Sequence, residues 1–115
     1  MKKILVIDDD EIFLDMIACV LREAGYEVIA LQDSLNISTV MHNDDFALII
    51  TDIIMPDFDG LDIIGSIKEF SSVPIIAVSG RQESLEQAIA MGVSRALDKP
   101  VNSEQLLAAV KELLS

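Results

Sequence analysis

Short apolar runs alternate with amphipathic segments along the whole chain. Five runs predict β-strands, namely Ile4–Ile7, Tyr26–Leu31, Phe46–Ile50, Val73–Val78 and Ala96–Leu97. The first, third and fourth are almost continuously apolar, which is typical of parallel strands covered on both faces. Regular alternation of strands and helices with short connections predicts a parallel sheet with helices on both faces and right-handed crossovers.

Five segments carry the three- and four-residue spacing of amphipathic helices. The apolar stripe of the first is Ile12, Phe13, Met16, Ile17, Val20 and Leu21, and that of the last is Leu106, Leu107, Val110, Leu113 and Leu114. The first ends before Gly25, which suits a left-handed cap, and Asn102 is the expected N-cap of the last. Leu61, Ile64 and Ile67 suit a third helix, and Leu85, Ala88 and Ile89 a fourth. The segment Ser34–His42 is the least typical of a helix because it contains the β-branched residues Ile37, Thr39 and Val40.

Length and charge narrow the classes of protein that this pattern fits. The chain has 115 residues and a formal charge of −12, which predicts one α/β domain over residues 1–115. Such an acidic chain is unsuited to nucleic acid or to anionic lipid, because both require clustered Lys and Arg. Cys19 is alone, so no internal disulfide can form, and no apolar run reaches the length of a membrane span. We therefore expect a cytoplasmic location.

Polar side chains follow four of the five predicted strands. They are Asp8, Asp9 and Asp10, then Thr51 and Asp52, then Ser79 and Gly80, and finally Asp98, Lys99 and Pro100. The carboxyl ends of parallel strands meet at one edge of the sheet, where ligands bind in folds of this class. These side chains should therefore lie close together.

Converging carboxylates, a lysine and a hydroxyl suit phosphoryl transfer. Carboxylates held together repel one another and raise their own pKa values unless a cation is bound. A site with only oxygen ligands suits Mg²⁺. A carboxylate can then act as the nucleophile and form an aspartyl phosphate, while the metal, the lysine and the hydroxyl neutralise the phosphoryl oxygens.

Each of these residues has a simpler interpretation when it is taken singly. Asp10 is placed to cap the first helix, and Lys99-Pro100 and Ser79-Gly80 are ordinary turn sequences. The functional hypothesis therefore depends on their coincidence at four strand ends. His42 and Cys19 lie apart from these strand ends in sequence and are expected to carry no chemistry.

The residues at these strand ends resemble the receiver domain of bacterial two-component response regulators, a family that includes chemotaxis regulators. The resemblance extends from Lys2 to about Leu114, and the segments that carry it are Ile4–Asp10, Ile49–Leu61, Pro74–Gly80 and Asp98–Pro100. It implies a flavodoxin-like, three-layer, doubly wound sheet of five parallel strands in the order 2-1-3-4-5, with five helices.

The resemblance also implies a role for each site residue. Asp52 would accept the phosphoryl group, and Asp9, Asp52 and the backbone carbonyl of Ile54 would bind Mg²⁺ directly. Asp8 would act through a metal-bound water. Ser79 would hydrogen-bond the phosphoryl group and move toward it, while Lys99 would pair with a phosphoryl oxygen.

The same resemblance implies how such a domain is used. Phosphate would come from a sensor histidine kinase or a histidine phosphotransfer protein. The changed surface, around the fourth helix, fifth strand and fifth helix, would be read by an effector protein or by an output domain outside these residues. The chain would act as a switch and not as an enzyme with turnover, and the Lys99–Pro100 peptide is similar to one that is cis in the family.

Four positions depart from the family's common pattern. Ala96 stands where an aromatic residue usually reports the movement of the hydroxyl, and Val101 stands where Phe is common. Ile54 and Arg81 occupy the positions that tune hydrolysis of the aspartyl phosphate. Because Ile54 offers no polar group to orient water, fast self-dephosphorylation is not expected.

Three other functions compete with the switch. A haloacid-dehalogenase-like phosphatase would need Thr or Val two positions after Asp10, where Ile12 stands, and has little room for a substrate cap. A flavodoxin-like electron carrier would need a hydroxyl-rich loop after the first strand, where Asp8–Glu11 has the opposite character. A degenerate receiver used only for binding is disfavoured because all five acid, hydroxyl and lysine positions are filled.

Overall fold

A computed structural model of the chain describes residues 2–33, 37–55 and 58–115. Its strands are β1 (Lys3–Ile7), β2 (Glu27–Leu31), β3 (Leu48–Asp52), β4 (Ile54–Met55), β5 (Phe58–Asp59), β6 (Ile75–Ser79) and β7 (Arg95–Asp98). Its helices are α1 (Glu11–Glu23), α2 (Ile37–Asn43), α3 (Gly60–Phe70), α4 (Gln82–Ala90) and α5 (Ser103–Leu114). The start of the predicted second helix, Ser34 to Asn36, lies outside the described residues.

Five of these strands form one parallel sheet in the order β2-β1-β3-β6-β7. This is the predicted 2-1-3-4-5 order once the short strands β4 and β5 are set aside. Those two pair antiparallel with each other in a separate ribbon. The predicted flavodoxin-like fold is therefore confirmed, and the order reverses direction between β1 and β3, where sites form in such sheets.

The core lies in two layers, one on each face of the sheet. On one face α1 and α5 cover the sheet with Leu14, Ile17, Leu21, Leu106 and Val110. On the other face α2, α3 and α4 contribute Ile37, Ile63, Ile64, Ile67, Leu85 and Ala88. Because both faces are covered, every residue of β3 and β6 is buried, which explains why these strands are so continuously apolar in sequence.

The stripe predicted for α1 is wrong in part. The residues that α1 buries most deeply are Leu14, Ile17, Ala18 and Leu21. Ile12 and Met16 are 83% and 46% exposed. Apolar residues cover more than one face of this helix, whereas the sheet accepts only one. Ile89 of α4 likewise points outward, at 57% exposure.

Two strands extend further at their carboxyl ends than predicted. β3 runs on through Asp52 and β6 through Ser79, so these polar residues belong to the strands themselves. Phe46, Tyr26 and Val73, predicted as strand residues, precede the strands. In the described part of the chain, no helix combines the length and the apolar character that crossing a membrane would require.

The expected helix caps are present. The Asp10 side chain accepts hydrogen bonds from the backbone N–H groups of Ile12 (3.0 Å) and Phe13 (3.3 Å). Asn102 accepts from Glu104 and Gln105 at 2.8 and 3.1 Å. Gly25 follows α1 with a φ of 98°, in the left-handed region. Asp10 therefore caps α1, as its simpler interpretation proposed.

Gly60 fixes the ribbon against the start of α3. Its N–H donates to the Ile53 carbonyl at 2.9 Å. A methyl group on Gly60 would overlap that carbonyl, so only glycine permits this approach. Ile53 directly follows Asp52, so the close contact of Gly60 helps to place the segment next to the sheet edge.

Candidate functional site

Three carboxylates meet at the carboxyl edge of the sheet. Asp8 and Asp9 follow β1, and Asp52 is the last residue of β3, the neighbouring strand. One carboxylate oxygen from each of the three lies within 4.8 Å of the others. Asp8 and Asp52 are only 1% and 4% exposed, whereas Asp9 is exposed. The sheet topology thus brings together residues 44 positions apart, as the strand-end pattern predicted.

Backbone groups fix one oxygen of each buried carboxylate. The N–H of Asp10 donates to Asp8 Oδ1 at 2.9 Å, and the N–H of Ile54 donates to Asp52 Oδ1 at 3.2 Å. The second oxygen of each group, Oδ2, faces a cation instead. The two carboxylates are therefore held in orientation by the turns that follow β1 and β3.

That cation is Lys99, which follows the strand at the far edge of the sheet. Its Nζ lies 3.0 Å from Asp8 Oδ2 and 3.5 Å from Asp52 Oδ2. Neighbouring strands are about 4.8 Å apart, so Lys99 must reach over the ends of β3 and β6 to meet Asp8. Only a long side chain can do this, and the ammonium gives both buried carboxylates a counter-charge.

Ser79 ends the strand next to Asp52. It is fully buried, and its Oγ accepts a hydrogen bond from the N–H of Arg81 at 3.0 Å. In the sheet register Asp52 pairs with Val78, so Ser79 lies one residue further toward the site. The N–H of Lys99 donates to the Ser79 carbonyl at 3.0 Å, which ties the two strand ends together.

Burial and mutual repulsion perturb the ionisation of this cluster. Burial, followed by the negative charge of Asp8, raises the pKa of Asp52 from an ordinary 3.8 to about 6. Burial also raises the pKa of Asp8, against the effect of the Asp10 N–H and Lys99. For Lys99, burial acts to lower the pKa, but the hydrogen bond with Asp8 and the charges of Asp52 and Asp8 outweigh it, so the pKa is raised.

The donor set fits Mg²⁺. Three carboxylates and one ammonium leave a formal charge of −2, which one divalent cation would neutralise. Two ligands of one Mg²⁺ can be at most about 4.2 Å apart, since each metal–oxygen distance is about 2.1 Å. Oxygens within 4.8 Å of one another are thus close to this limit, and a water between the metal and one carboxylate would relieve the difference.

The remaining predicted residues have defined places around this cluster. Ile54 starts the ribbon with its side chain 39% exposed. Ala96 lies in β7 and packs with the core layer of α3 and α4. The Lys99–Pro100 peptide is cis, as the resemblance implied. Pro56 and Asp57, which belong to the segment that carried the resemblance, lie outside the described residues.

One residue beside the cluster was missed by reasoning from sequence. The Phe13 ring of α1 lies against Lys99, with Nζ 4.4 Å from the ring centroid. Its apolar character placed it in a helix stripe, and nothing in the sequence connects it with a residue 86 positions away. His42, set aside at the sequence level, contacts the Ser38 carbonyl (2.6 Å) and stacks on Phe70.

Comparison with known proteins gives a consistent family. The sequence profile of the response regulator receiver domain matches residues 4–111. A transcriptional regulatory protein of Haemophilus influenzae, a CpxR homolog, is 27% identical over 99% of the chain. The chain spans about half of that relative's length, 51%.

Solved structures agree in fold as well as in sequence. A two-component response regulator from Clostridium difficile superposes with a TM-score of 0.93 at 28% identity, over 99% of this chain and 96% of that one. A response regulator protein from Burkholderia pseudomallei superposes at 0.85 and 28% identity, over 95% of this chain and 66% of that one. That second structure holds a phosphorylated aspartic acid and a calcium ion.

Proposed function

The chain belongs to the response regulator receiver domain family of two-component systems, and on this premise we propose that it is a switch controlled by phosphorylation of Asp52. The observation that carries the proposal is the pairing of Asp52 with Lys99 inside an acidic cluster at the carboxyl edge of the sheet. Asp8 and Asp52 both contact the ammonium, and Asp52 is the one that ends the central strand β3, with Asp8 and Asp9 beside it. The phosphorylated aspartic acid of the Burkholderia protein gives a precedent in a structural neighbour.

The transfer step is a displacement at phosphorus. A carboxylate oxygen of Asp52 attacks the phosphorus of a phosphohistidine, so an O–P bond forms and the P–N bond breaks. The electron pair of the broken bond stays on the imidazole nitrogen of the donor, which can take a proton from water. Asp52 must be ionised to attack. With a pKa raised to about 6 by burial and by the charge of Asp8, it is still mainly ionised at pH 7 before a metal binds.

Residues of this chain would hold the metal and the transferred group. We propose Asp9, Asp52 and the carbonyl of Ile54 as direct Mg²⁺ ligands and Asp8 as a ligand through water. Bound Mg²⁺ would supply positive charge against the phosphoryl oxygens. Lys99 would exchange its contact with Asp52 for one with a phosphoryl oxygen, a charge-assisted hydrogen bond.

Ser79 would report the phosphoryl group to the rest of the fold. Its hydroxyl can donate to a phosphoryl oxygen while its Oγ is also held by the Arg81 N–H at the start of α4. A shift of Ser79 would therefore pull on the segment that leads into α4. Two conformations with different affinity for partners would follow, with the phosphoryl contacts favouring one of them. Ala96 has no aromatic ring that could respond to the shift of Ser79, so this shift would be transmitted through the backbone.

Receiver domains are regulatory, phospho-accepting domains and not turnover enzymes, and the partners follow from that. We propose a sensor histidine kinase or histidine phosphotransfer protein as the donor. The output would be an effector protein or a domain of the same protein, without direct contact of residues 1–115 with nucleic acid or membrane. Because a sensor kinase takes its phosphate from ATP, we propose a cytoplasmic location.

Beryllofluoride, which mimics an acyl phosphate, tests this proposal without a kinase. A solution structure of the NtrC4 receiver domain dimer, 30% identical over 99% of the chain, is described as activated by it. With Mg²⁺ present, we expect amide resonances of Ser79, Arg81 and Lys99 to shift and to saturate at one equivalent. Asp52→Asn should abolish these shifts, whereas Asp62→Asn, which removes an exposed carboxylate from α3, should preserve them. Equal shifts in the two variants would contradict the assignment of Asp52.

A further inference from the structure

We propose that Phe13 is a positioning residue for phosphorylation, because its ring holds the Lys99 ammonium between Asp8 and Asp52. The proposal rests on the function proposed above and assigns the reaction one further residue. Phe13 lies in the first turn of α1, two residues after the acidic segment Asp8–Glu11, and its ring faces Lys99 Nζ at 4.4 Å from the centroid. A cation so close to an aromatic face is attracted by the negative charge density of the ring.

The ring is itself held in place by the core. Phe13 is half-buried and packs against the core layer formed by α1 and α5. It lies four residues before Ile17, so both residues share the face of α1 that meets the sheet. The N–H of Phe13 donates to the capping carboxylate of Asp10 at 3.3 Å. The ring therefore packs on this core layer beside Lys99, at the mouth of the site.

Lys99 needs such a support because its backbone lies far from the carboxylates that it contacts. Its side chain has several rotatable bonds, and holding a lysine side chain in one conformation has an entropic cost. At 27% exposure its side chain also retains access to water, which competes for the ammonium. The ring excludes water from one side and offers no hydrogen bond of its own. The hydrogens on Lys99 Nζ thus remain available to donate to Asp8, Asp52 and the incoming phosphoryl group.

A leucine at position 13 separates this role from simple packing. Phe13→Leu keeps an apolar side chain in the core but removes the aromatic face, and Phe13→Tyr keeps both. With a small acyl phosphate as donor and saturating Mg²⁺, we expect Phe13→Leu to lower the phosphorylation rate constant roughly threefold to tenfold. Phe13→Tyr should stay within about twofold of the wild-type rate.

Two controls show whether the ring acts through Lys99. Leu113→Ala removes a partly buried side chain from the same core layer at the far end of α5, and should leave the rate unchanged even if it lowers stability. In a Lys99→Ala background, Phe13→Leu should cause no further loss, since no ammonium remains to be positioned. An additional loss of the same size in that background would overturn the proposal.

Nuclear magnetic resonance gives a readout that does not depend on the reaction. The ring should displace the Lys99 Hε resonances upfield, and Phe13→Leu should remove this displacement while Phe13→Tyr retains it. Unchanged Hε resonances in Phe13→Leu would contradict the contact itself. If the wild-type protein accepts no phosphoryl group, the proposed function fails. If it does and Phe13→Leu reacts at the wild-type rate, only the role of Phe13 fails.

Discussion

At the scale of single residues, the site contains carboxylates whose ionised form is destabilised in the absence of a ligand. Asp52 is almost fully buried, and its neighbour Asp8 carries the same charge. The nearby Lys99 compensates for this only in part, since the pKa of Asp52 is still raised to about 6. Carboxylates that are costly to ionise are typical of functional sites, where a ligand later supplies the missing positive charge.

This predicts an unusual dependence of stability on pH. The folded-state pKa of Asp52 lies above its ordinary value of 3.8, so the folded protein binds more protons than the unfolded chain between the two values. The contribution of Asp52 to stability is therefore fully present below pH 3.8 and is lost as the pH rises through about 6.

Asp52→Asn should remove the loss of stability that accompanies ionisation of Asp52. Without metal, we expect the variant to be more stable than wild type by at most about 3 kcal/mol at pH 7.5, with the difference fading toward pH 4. Urea denaturation of both proteins in the presence of a chelator, at a series of pH values, measures it. Asp62→Asn, which replaces an exposed carboxylate of α3, serves as the control. A variant that is less stable than wild type at pH 7.5 would contradict the predicted sign.

Ile54 predicts a long-lived phosphorylated state. Its apolar side chain lies at the rim of the site, 39% exposed, and gives an attacking water no hydrogen-bond partner. We expect the phosphoryl group to persist for minutes or longer after the donor is removed, as followed by intact mass. Ile54→Gln should shorten that lifetime several-fold. A wild-type lifetime of only seconds would be incompatible with this view.

At the scale of the elements, sequence periodicity predicted the sheet strands well and the ribbon not at all. The alternation of apolar runs and stripes was enough to predict in which order the sheet strands and the helices follow one another along the chain. The ribbon strands β4 and β5 contain only two residues each, too few for any periodicity. In α1, apolar residues on two faces concealed which one meets the sheet. Leu14 was therefore left out of the predicted stripe, and Ile12 and Met16 were wrongly included in it.

Gly60 gives the clearest prediction at this scale. Gly60→Ala would push a methyl group into the Ile53 carbonyl, and we expect a loss of stability of roughly 1–3 kcal/mol. Gly65→Ala, in the same helix, meets only Met91 Cε at an ordinary 3.5 Å and should be neutral or stabilising. Thermal or urea unfolding distinguishes the two variants. Equal effects would show that the contact of Gly60 is easily relieved.

At the scale of the whole molecule, the formal charge of −12 has two components. Most acidic residues lie on the surface, whereas Asp8, Asp9 and Asp52 are gathered by the topology of the sheet. The strand-end rule was enough to predict that these three lie at the same edge of the sheet as Lys99, because parallel strands end at one edge. It could not predict which oxygen faces which partner, nor that Phe13 would complete the surroundings of Lys99, because these depend on side-chain packing between distant segments.

Mg²⁺ should therefore stabilise the whole fold. At ten times its dissociation constant, a ligand specific to the folded state adds about 1.4 kcal/mol, seen as a higher melting temperature. We expect this gain at pH 7.5 and its loss at pH 4.5, where Asp52, with a pKa of about 6, is mainly protonated. Asp9→Asn should weaken the effect, and Asp62→Asn should not. A gain that is independent of pH and of Asp9 would point to nonspecific screening.

Every role proposed for the site depends on Asp52 accepting a phosphoryl group. The most direct test is the intact mass of the protein after incubation with Mg²⁺ and a small acyl phosphate, compared among wild type, Asp52→Asn and Asp62→Asn. We expect one phosphoryl adduct on wild type and on Asp62→Asn, absent without Mg²⁺, and none on Asp52→Asn. No adduct on wild type, or an equal adduct on Asp52→Asn, would contradict it.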